Sequence, residues 1–161
     1  MNKSMLALLP GSYDPITLGH MDVIRRAAAM FDSVAVAVMT NEAKCDQYMF
    51  SMEQRRAMAV AACAELSNVR VVSSHAMLIE LFDELGADVV IKGVRNETDY
   101  AYEQTQALWN RAHNPRVETL YFPADSRFDT VSSTLVRERL AKGESIDDLV
   151  PPIVAKMIAK G

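Results

Sequence analysis

Residues 10–22 read Pro-Gly-Ser-Tyr-Asp-Pro-Ile-Thr-Leu-Gly-His-Met-Asp, and the rest of the chain is organised around them. The apolar residues 5–9 before this stretch predict a short buried strand, and residues 21–31 after it predict a helix. A helix N-terminus offers unpaired N–H groups and the positive end of a dipole, so the crossing is a natural site for an anion. A glycine-rich turn without function is the alternative interpretation of these residues alone.

The composition predicts one globular domain over residues 1–161. Half of the residues are apolar, but no apolar run reaches the roughly 20 residues that a membrane-spanning helix needs. The first strand follows the N-terminus directly, which leaves no room for a signal peptide. Cys45 and Cys63 lack CxxC spacing, which fits a reducing cytosol and argues against a metal cage. We therefore expect a cytoplasmic protein without a membrane segment.

The formal net charge of −4 argues against broad, nonspecific binding of nucleic acid or of an anionic membrane. It does not exclude an anionic small molecule, because a local basic cluster can outweigh the charge of the whole chain. A nucleotide pocket is compatible with this composition.

Strand and helix patterns alternate along the chain. Short β-branched or apolar runs predict strands at 5–10, 33–39, 69–73, 88–93 and 117–122. Helices are predicted at 21–31, 51–65, 76–85, 99–112, about 131–142 and 152–160. The alternation predicts an α/β fold with a doubly wound, five-stranded parallel sheet of Rossmann type, in which ligands bind beyond the carboxyl ends of the strands. The last helix is expected to cover the sheet edge or to lie in a subunit contact.

Three polar clusters follow predicted strands at that edge of the sheet. They are Gly11, Ser12 and His20 after the first strand, Lys92, Gly93 and Arg95 after the fourth, and Ser132, Ser133, Thr134 and Arg137 after the fifth. Two helix N-termini, a histidine and at least three cations are thereby expected to converge. Such an arrangement predicts a cradle for a polyphosphate.

Each cluster also has a purely structural interpretation. Lys92 and Arg95 alone could be solvated loop charges, the hydroxyl run could be only a helix cap, and His20 could be a satisfied histidine. We assign that structural role to His75 and His113, because neither lies at a strand-to-helix crossing of phosphate-binding character. Spacing indicates neither a Ser-His-acid triad nor a carboxylate pair nor a Walker A motif.

Two motifs carry a resemblance to a known family. Residues 11–22 resemble the opening motif of the HxGH nucleotidyltransferases, with Thr-Leu-Gly-His at 17–20 in place of the signature. Residues 131–137, Val-Ser-Ser-Thr-Leu-Val-Arg, resemble its partner motif ISSTxxR. Within that superfamily the chain from 4 to 160 resembles the bacterial enzymes that adenylylate 4′-phosphopantetheine, supported by its length and by the stretches 49–55, 92–95 and 99–103.

The resemblance implies transfer of AMP from ATP to 4′-phosphopantetheine by direct in-line attack, giving dephospho-coenzyme A and pyrophosphate. It implies that His20 stabilises the transition state, with Lys44 and Arg95 as further catalytic groups. It places the acceptor on Ser12, Lys44, Leu78 and Lys92. It places ATP on Ser12, Tyr13, His20, Gly93, Val94, Arg95, Glu103, Phe128, Asp129, Thr130, Val131, Ser132, Ser133 and Thr134. Mg²⁺ is expected to bind through the phosphates of ATP rather than in a protein cage.

The resemblance further implies a homohexamer, for which the helix near 99–112 offers contact faces, and possible feedback by coenzyme A. The chain departs from the usual pattern at Lys92 and Phe128, where many members carry arginine and tryptophan, which affects affinity more than reaction type. One alternative function is a sister nucleotidyltransferase that uses nicotinate mononucleotide or a polyol phosphate. The other is a nucleotide-binding regulator without turnover.

Overall fold

Five strands and six α-helices alternate along the described residues, which are 3–41, 43 and 47–161 of the computed structural model. The strands are β1 (Leu6–Gly11), β2 (Ser33–Met39), β3 (Val69–Ser74), β4 (Val89–Val94) and β5 (Thr119–Pro123). The helices are α1 (Leu18–Met30), α2 (Met52–Ala62), α3 (Leu78–Leu85), α4 (Glu97–His113), α5 (Ser133–Ala141) and α6 (Pro152–Lys160). Helix α1 begins three residues earlier than predicted, which places His20 inside its first turn.

All five strands are parallel and lie in the order β3-β2-β1-β4-β5. The chain adds β2 and β3 on one side of β1 and then crosses to add β4 and β5 on the other side. This confirms the predicted doubly wound sheet. The reversal opens a crevice between the carboxyl ends of β1 and β4, and it brings the loops that follow these two strands together.

Helices cover both faces of the sheet, because successive side chains of the central strands point in opposite directions. In β1, Ala7 and Leu9 join the core that contains α1, α2, α5 and α6, whereas Leu8 joins the core that contains α3. Helix α6 buries Val154 in the first of these cores and packs against α2. It therefore packs on a helix rather than along the sheet edge, and the alternative expectation, a subunit contact, stays a prediction. No helix of the described residues combines the length and apolar character that crossing a bilayer requires.

Candidate active site

A cleft of about 580 Å³, called the main cleft below, opens at the reversal point above β1 and β4. Residues from all three predicted clusters line it. Of the predicted site residues, its lining includes Ser12, Tyr13, His20, Lys92, Gly93, Arg95, Glu103, Phe128, Val131, Ser132, Ser133 and Thr134. Three segments that are distant in sequence therefore meet in one place, as the sequence predicts.

His20 belongs to the N-terminal cap of α1. The Thr17 N–H donates to His20 Nδ1 at 3.0 Å, and the His20 N–H donates to Thr17 Oγ1 at 3.3 Å. Because Nδ1 accepts an N–H, the proton of the neutral ring is on Nε2. Burial, together with the positive charges of Lys92 and Arg95, lowers the pKa of His20 to about 4. Near pH 7 the ring is thus neutral, and Nε2–H is the donor that remains for a ligand in the cleft.

Tyr13 supports the histidine ring from the protein side. The two ring centroids lie 4.7 Å apart, and the Tyr13 hydroxyl donates to the Leu9 carbonyl at 2.9 Å. The Tyr13 side chain is buried, and its φ of 48° places the backbone in the left-handed region. Backbone strain of this kind is common at functional sites, where the surroundings hold the conformation. The burial of the side chain leaves the main chain of Tyr13 as its part open to a ligand, and a contact with the nucleotide stays a prediction.

Lys92, near the carboxyl end of β4, and Arg95, directly after the strand, each have a carboxylate partner on α4. Lys92 Nζ lies 3.4 Å from Glu103 Oε1 and 3.4 Å from the Pro10 carbonyl of β1. Arg95 Nε donates to Asp99 Oδ2 at 2.9 Å. Asp99 and Glu103 are one turn apart, so one face of α4 carries both carboxylates. A phosphate that enters the main cleft must share or replace these partners.

Gly93, between Lys92 and Arg95 in sequence, allows α1 to pack closely against β4. A Cβ at this position would lie 2.8 Å from Cγ2 of Val23 on α1, a distance that side-chain atoms do not tolerate. The absence of a side chain therefore lets the helix that carries His20 pack directly against β4. Gly93 is a packing requirement of the site as well as a predicted contact to ATP.

The N-terminus of α5 forms the opposite wall of the main cleft. Ser132 Oγ accepts the Leu135 N–H at 3.1 Å, Ser133 Oγ donates to the Pro15 carbonyl at 2.8 Å, and Thr134 Oγ1 accepts from Arg137 at 3.2 Å. The three hydroxyls are thus engaged within the protein. Within the described residues, the main-chain N–H groups of Ser133 and Thr134 have no acceptor. These N–H groups are the part of the cluster best suited to bind an anion.

Arg137 does not join the phosphate cradle, contrary to the sequence-based expectation. Its guanidinium donates to the Asp14 carbonyl at 2.8 Å and to Thr134, so it ties α5 to the loop after β1. The Asp14 carboxylate accepts the N–H groups of Met49 and Phe50, both at 3.0 Å. The Asp14 carboxylate thus joins the loop after β1 to the segment before α2. The sequence predicts at least three cations in the cradle, and this count was wrong because it included Arg137.

A second cavity of about 530 Å³, called the side chamber below, adjoins the main cleft. The two share Thr40, Asn41, Lys92, Tyr102 and Glu103 as lining residues. Leu78 lines only the side chamber, on the side expected for the acceptor.

Two histidines assigned outside the site behave differently from each other. His75 lines the side chamber, and the structural role assigned to it stays a prediction. His113 stacks on Trp109 with the rings 3.9 Å apart, and its Nδ1 lies 2.8 Å from the Trp109 carbonyl oxygen. This is the structural role that the sequence predicts for His113.

Some predicted residues are not brought into either cavity. Val94 is engaged through its main chain, since its carbonyl accepts the Ala124 N–H at 2.8 Å. Asp129 and Thr130 are exposed in the turn after a short 3₁₀ helix, Ser126–Phe128. Neither they nor Val94 line the main cleft. Lys44 lies outside the described residues. Contacts of these four residues with a substrate stay predictions.

The structure also adds residues that the sequence did not single out for the site. Asp99 and Tyr102 line the main cleft together with Glu103, although only Glu103 was predicted. The spacing of 99, 102 and 103 places all three on one face of a helix, which is the signal that could have identified them. Thr40 and Asn41, directly after β2, line both cavities.

The class that this fold and this cleft define is the nucleotidyltransferases. Residues 8–139 match the family model described as cytidylyltransferase-like. A solved structure from Vibrio parahaemolyticus, assigned as a nicotinate-nucleotide adenylyltransferase, superposes with a TM-score of 0.74 at 19% identity, over 98% of this chain and 93% of that one. At this identity the likeness supports the fold alone.

Three relatives named phosphopantetheine adenylyltransferase match nearly the whole chain. The protein from Limosilactobacillus reuteri is 38% identical over 155 residues, covering 96% of this chain and 88% of the relative. The protein from Limosilactobacillus fermentum is 41% identical over 146 residues, covering 91% and 83%. The protein from Finegoldia magna is 39% identical over 158 residues, covering 98% and 96%. The chain belongs to the phosphopantetheine adenylyltransferase family.

Proposed function

We propose that the enzyme transfers AMP from ATP to 4′-phosphopantetheine, giving dephospho-coenzyme A and pyrophosphate. The observation that carries this proposal is the junction of the main cleft and the side chamber at Lys92. One cavity offers helix N-termini and cations to a triphosphate. The other leads away from the same lysine past Leu78 and Trp109, which suits a long arm of mixed polarity. The names of the relatives agree with this reaction.

The reaction needs no nucleophile from the protein. An oxygen of the acceptor's phosphate attacks the α-phosphorus of ATP, and the bond to the β-phosphate breaks as pyrophosphate leaves with the bonding electrons. The contribution of the site is therefore alignment of the two substrates and stabilisation of the charge that develops.

The neutral ring of His20 provides the donor at the reacting centre. Its Nδ1 is occupied by the Thr17 N–H at 3.0 Å, so the ring presents Nε2–H to a non-bridging oxygen of the α-phosphate. Negative charge on that oxygen increases in the transition state, and the hydrogen bond strengthens there. Because the cap of α1 fixes the ring, little reorganisation accompanies the reaction.

The remaining groups hold the two ends of the reacting system. Arg95 and the N–H groups of Ser133 and Thr134 hold the phosphates that leave, while Lys92 holds the phosphate of the acceptor. Ser12 lies between them and contacts both substrates. Val94, Asp129 and Thr130 are proposed as main-chain contacts of the nucleotide, and Lys44 as a further ligand of the acceptor's phosphate.

Mg²⁺ is proposed to enter as a complex with the phosphates of ATP. Within residues 3–41, 43 and 47–161, no group of three or more His, Cys, Asp or Glu side chains is arranged to hold a metal ion. The phosphate oxygens of ATP are the natural ligands for this hard cation.

The assembly and regulation expected from the family are part of the same proposal. Helix α4 exposes Leu108, which lines neither cavity and has 63% of its surface accessible, and this apolar side chain supports self-association into a homohexamer. Light scattering of the purified protein tests this. Coenzyme A contains both the adenylate and the pantetheine arm, so it is proposed to compete for both cavities. The proposed location is the cytoplasm, in keeping with the cysteine pattern.

An acceptor panel tests the proposed reaction. Pyrophosphate release is measured with ATP and, in turn, 4′-phosphopantetheine, nicotinate mononucleotide and a polyol phosphate. We expect release with the first acceptor only. Trp109 is the single tryptophan of the chain and lines the side chamber, so its fluorescence reports acceptor binding without turnover. A fluorescence change without release of pyrophosphate would favour a regulator without turnover.

A further inference from the structure

Arg55, in the first turns of α2, is a buried cation beside the site that the proposed mechanism does not use. Only 1% of its surface is exposed, and it is the bulkiest fully buried side chain of the described residues. It forms no salt bridge within that part of the chain. Burying a charge is unfavourable, and an apolar side chain of similar volume often stabilises a protein as well or better. Core stability alone therefore does not account for a guanidinium here.

The guanidinium connects three segments that meet at the site. Its Nη1 donates to the Ser12 carbonyl at 2.8 Å and to the Met39 carbonyl at 3.2 Å. Its Nη2 donates to Thr40 Oγ1 at 2.8 Å, and its Nε donates to the Phe50 carbonyl at 3.1 Å. The loop after β1, the end of β2 and the residue before the cap of α2 are thus held by one planar group. A lysine cannot reproduce this fork, because its donors radiate from a single nitrogen.

Tyr48 contacts the same serine at its side chain, whereas Arg55 contacts the main chain of Ser12. The Tyr48 ring lies over the Arg55 guanidinium, 4.2 Å from the ring centroid to Cζ. The Tyr48 hydroxyl accepts the Asn41 N–H at 2.9 Å and lies 3.4 Å from Ser12 Oγ. Either hydroxyl can donate across this contact, because the Tyr48 oxygen keeps a second lone pair after it accepts the Asn41 N–H.

We propose that Arg55 and Tyr48 are positioning residues that hold the carbonyl and the hydroxyl of Ser12 between the two substrates. This inference rests on the proposed function for the role of Ser12. Arg55 holds the main chain of Ser12 through a hydrogen bond to its carbonyl. Tyr48, in the loop before α2, contacts the hydroxyl of Ser12. Neither residue needs to touch a substrate. Their effect is on the alignment of the acceptor's phosphate with ATP, which strongly affects rate.

Kinetics of three variants test the proposal. Tyr48→Phe removes only the hydroxyl and keeps the ring over Arg55, while Arg55→Lys keeps the charge and loses the fork. Met58→Ala is the control, because Met58 is a core residue of the same helix and its loss destabilises α2 without removing a loop contact. We expect kcat to fall about tenfold in Tyr48→Phe and about a hundredfold in Arg55→Lys, with the dissociation constant for ATP changed less than threefold. Met58→Ala, assayed below its unfolding temperature, should keep its kcat.

The proposal fails if Arg55→Lys and Tyr48→Phe keep the wild-type kcat. It also fails if Met58→Ala loses as much kcat as Arg55→Lys at an equal loss of stability. The fall in kcat would then come from destabilisation of α2 and not from the position of Ser12.

Hydrogen exchange of the same proteins separates this inference from the proposed function, because it needs no substrate. In Arg55→Lys we expect the amides of residues 11–13 and 39–41 to exchange at least about tenfold faster, with the core of β1 and β2 unchanged. Unchanged exchange at these amides would overturn the positioning role. If wild-type protein makes no product from 4′-phosphopantetheine while the amides behave as expected, the proposed reaction is wrong and the positioning of Ser12 stands.

Discussion

The low pKa of His20 predicts a measurable link between pH and stability. Folding lowers this pKa from about 6.5 to about 4, because the ring is partly withdrawn from water and lies in the positive field of Lys92 and Arg95. The unfolded chain therefore binds more protons than the folded protein between these two values, so stability falls as pH decreases through that window. A single group with these two pKa values lowers the free energy of unfolding, relative to pH 7, by about 2 kcal/mol at pH 5 and by about 3 kcal/mol at pH 4.

His20→Gln isolates this contribution. Glutamine at the third helical position can accept the Thr17 N–H in the same cap, but it does not titrate. Urea unfolding of both proteins is measured at several pH values from 7 to 4, and the other titrating groups cancel in the difference. We expect the variant to gain about 2 kcal/mol relative to wild type on going from pH 7 to pH 5. Parallel stability curves for the two proteins would refute the lowered pKa and the neutral state of His20.

Three further predictions follow from the site. His20→Ala should lower kcat by several orders of magnitude with little change in ATP affinity, because Nε2–H acts mainly in the transition state; single-turnover kinetics and calorimetry check this. Gly93→Ala should destabilise the protein by about 1–3 kcal/mol through its contact with Val23, and adding Val23→Ala should recover part of the loss in thermal unfolding. Asp99→Asn should strengthen product inhibition by pyrophosphate severalfold, because it removes the carboxylate that pairs with Arg95; an unchanged inhibition constant would show that the pair does not compete with phosphate.

The fold could be predicted well from sequence because local patterns determine it. Buried β-branched runs locate the strands, and the switch-point rule then brings the loops after β1 and β4 together. His20 was predicted beside the start of α1, and the Thr17 cap, which that prediction did not use, places it inside the first turn. His75 directly follows β3, so the rule that ligands bind beyond the carboxyl ends of the strands indicates its position near a cavity.

The partners of the site residues could not be predicted, because they depend on side chains that meet only in the folded chain. Arg137 has the right spacing for a phosphate ligand, yet its guanidinium reaches the Asp14 carbonyl across the loop after β1. Arg55 lies in an alanine-rich helical pattern that gives no sign of a buried cation. The hydroxyl of Ser133 is likewise used by the Pro15 carbonyl, which no spacing rule indicates.

The central claim is that this protein adenylylates 4′-phosphopantetheine in the joined cavities. The most direct measurement combines wild-type protein with ATP, Mg²⁺ and 4′-phosphopantetheine and quantifies both products by mass spectrometry and a pyrophosphate assay. We predict equal amounts of dephospho-coenzyme A and pyrophosphate, and loss of both in His20→Ala. Pyrophosphate release only with a different acceptor, or none with any acceptor, would contradict the claim.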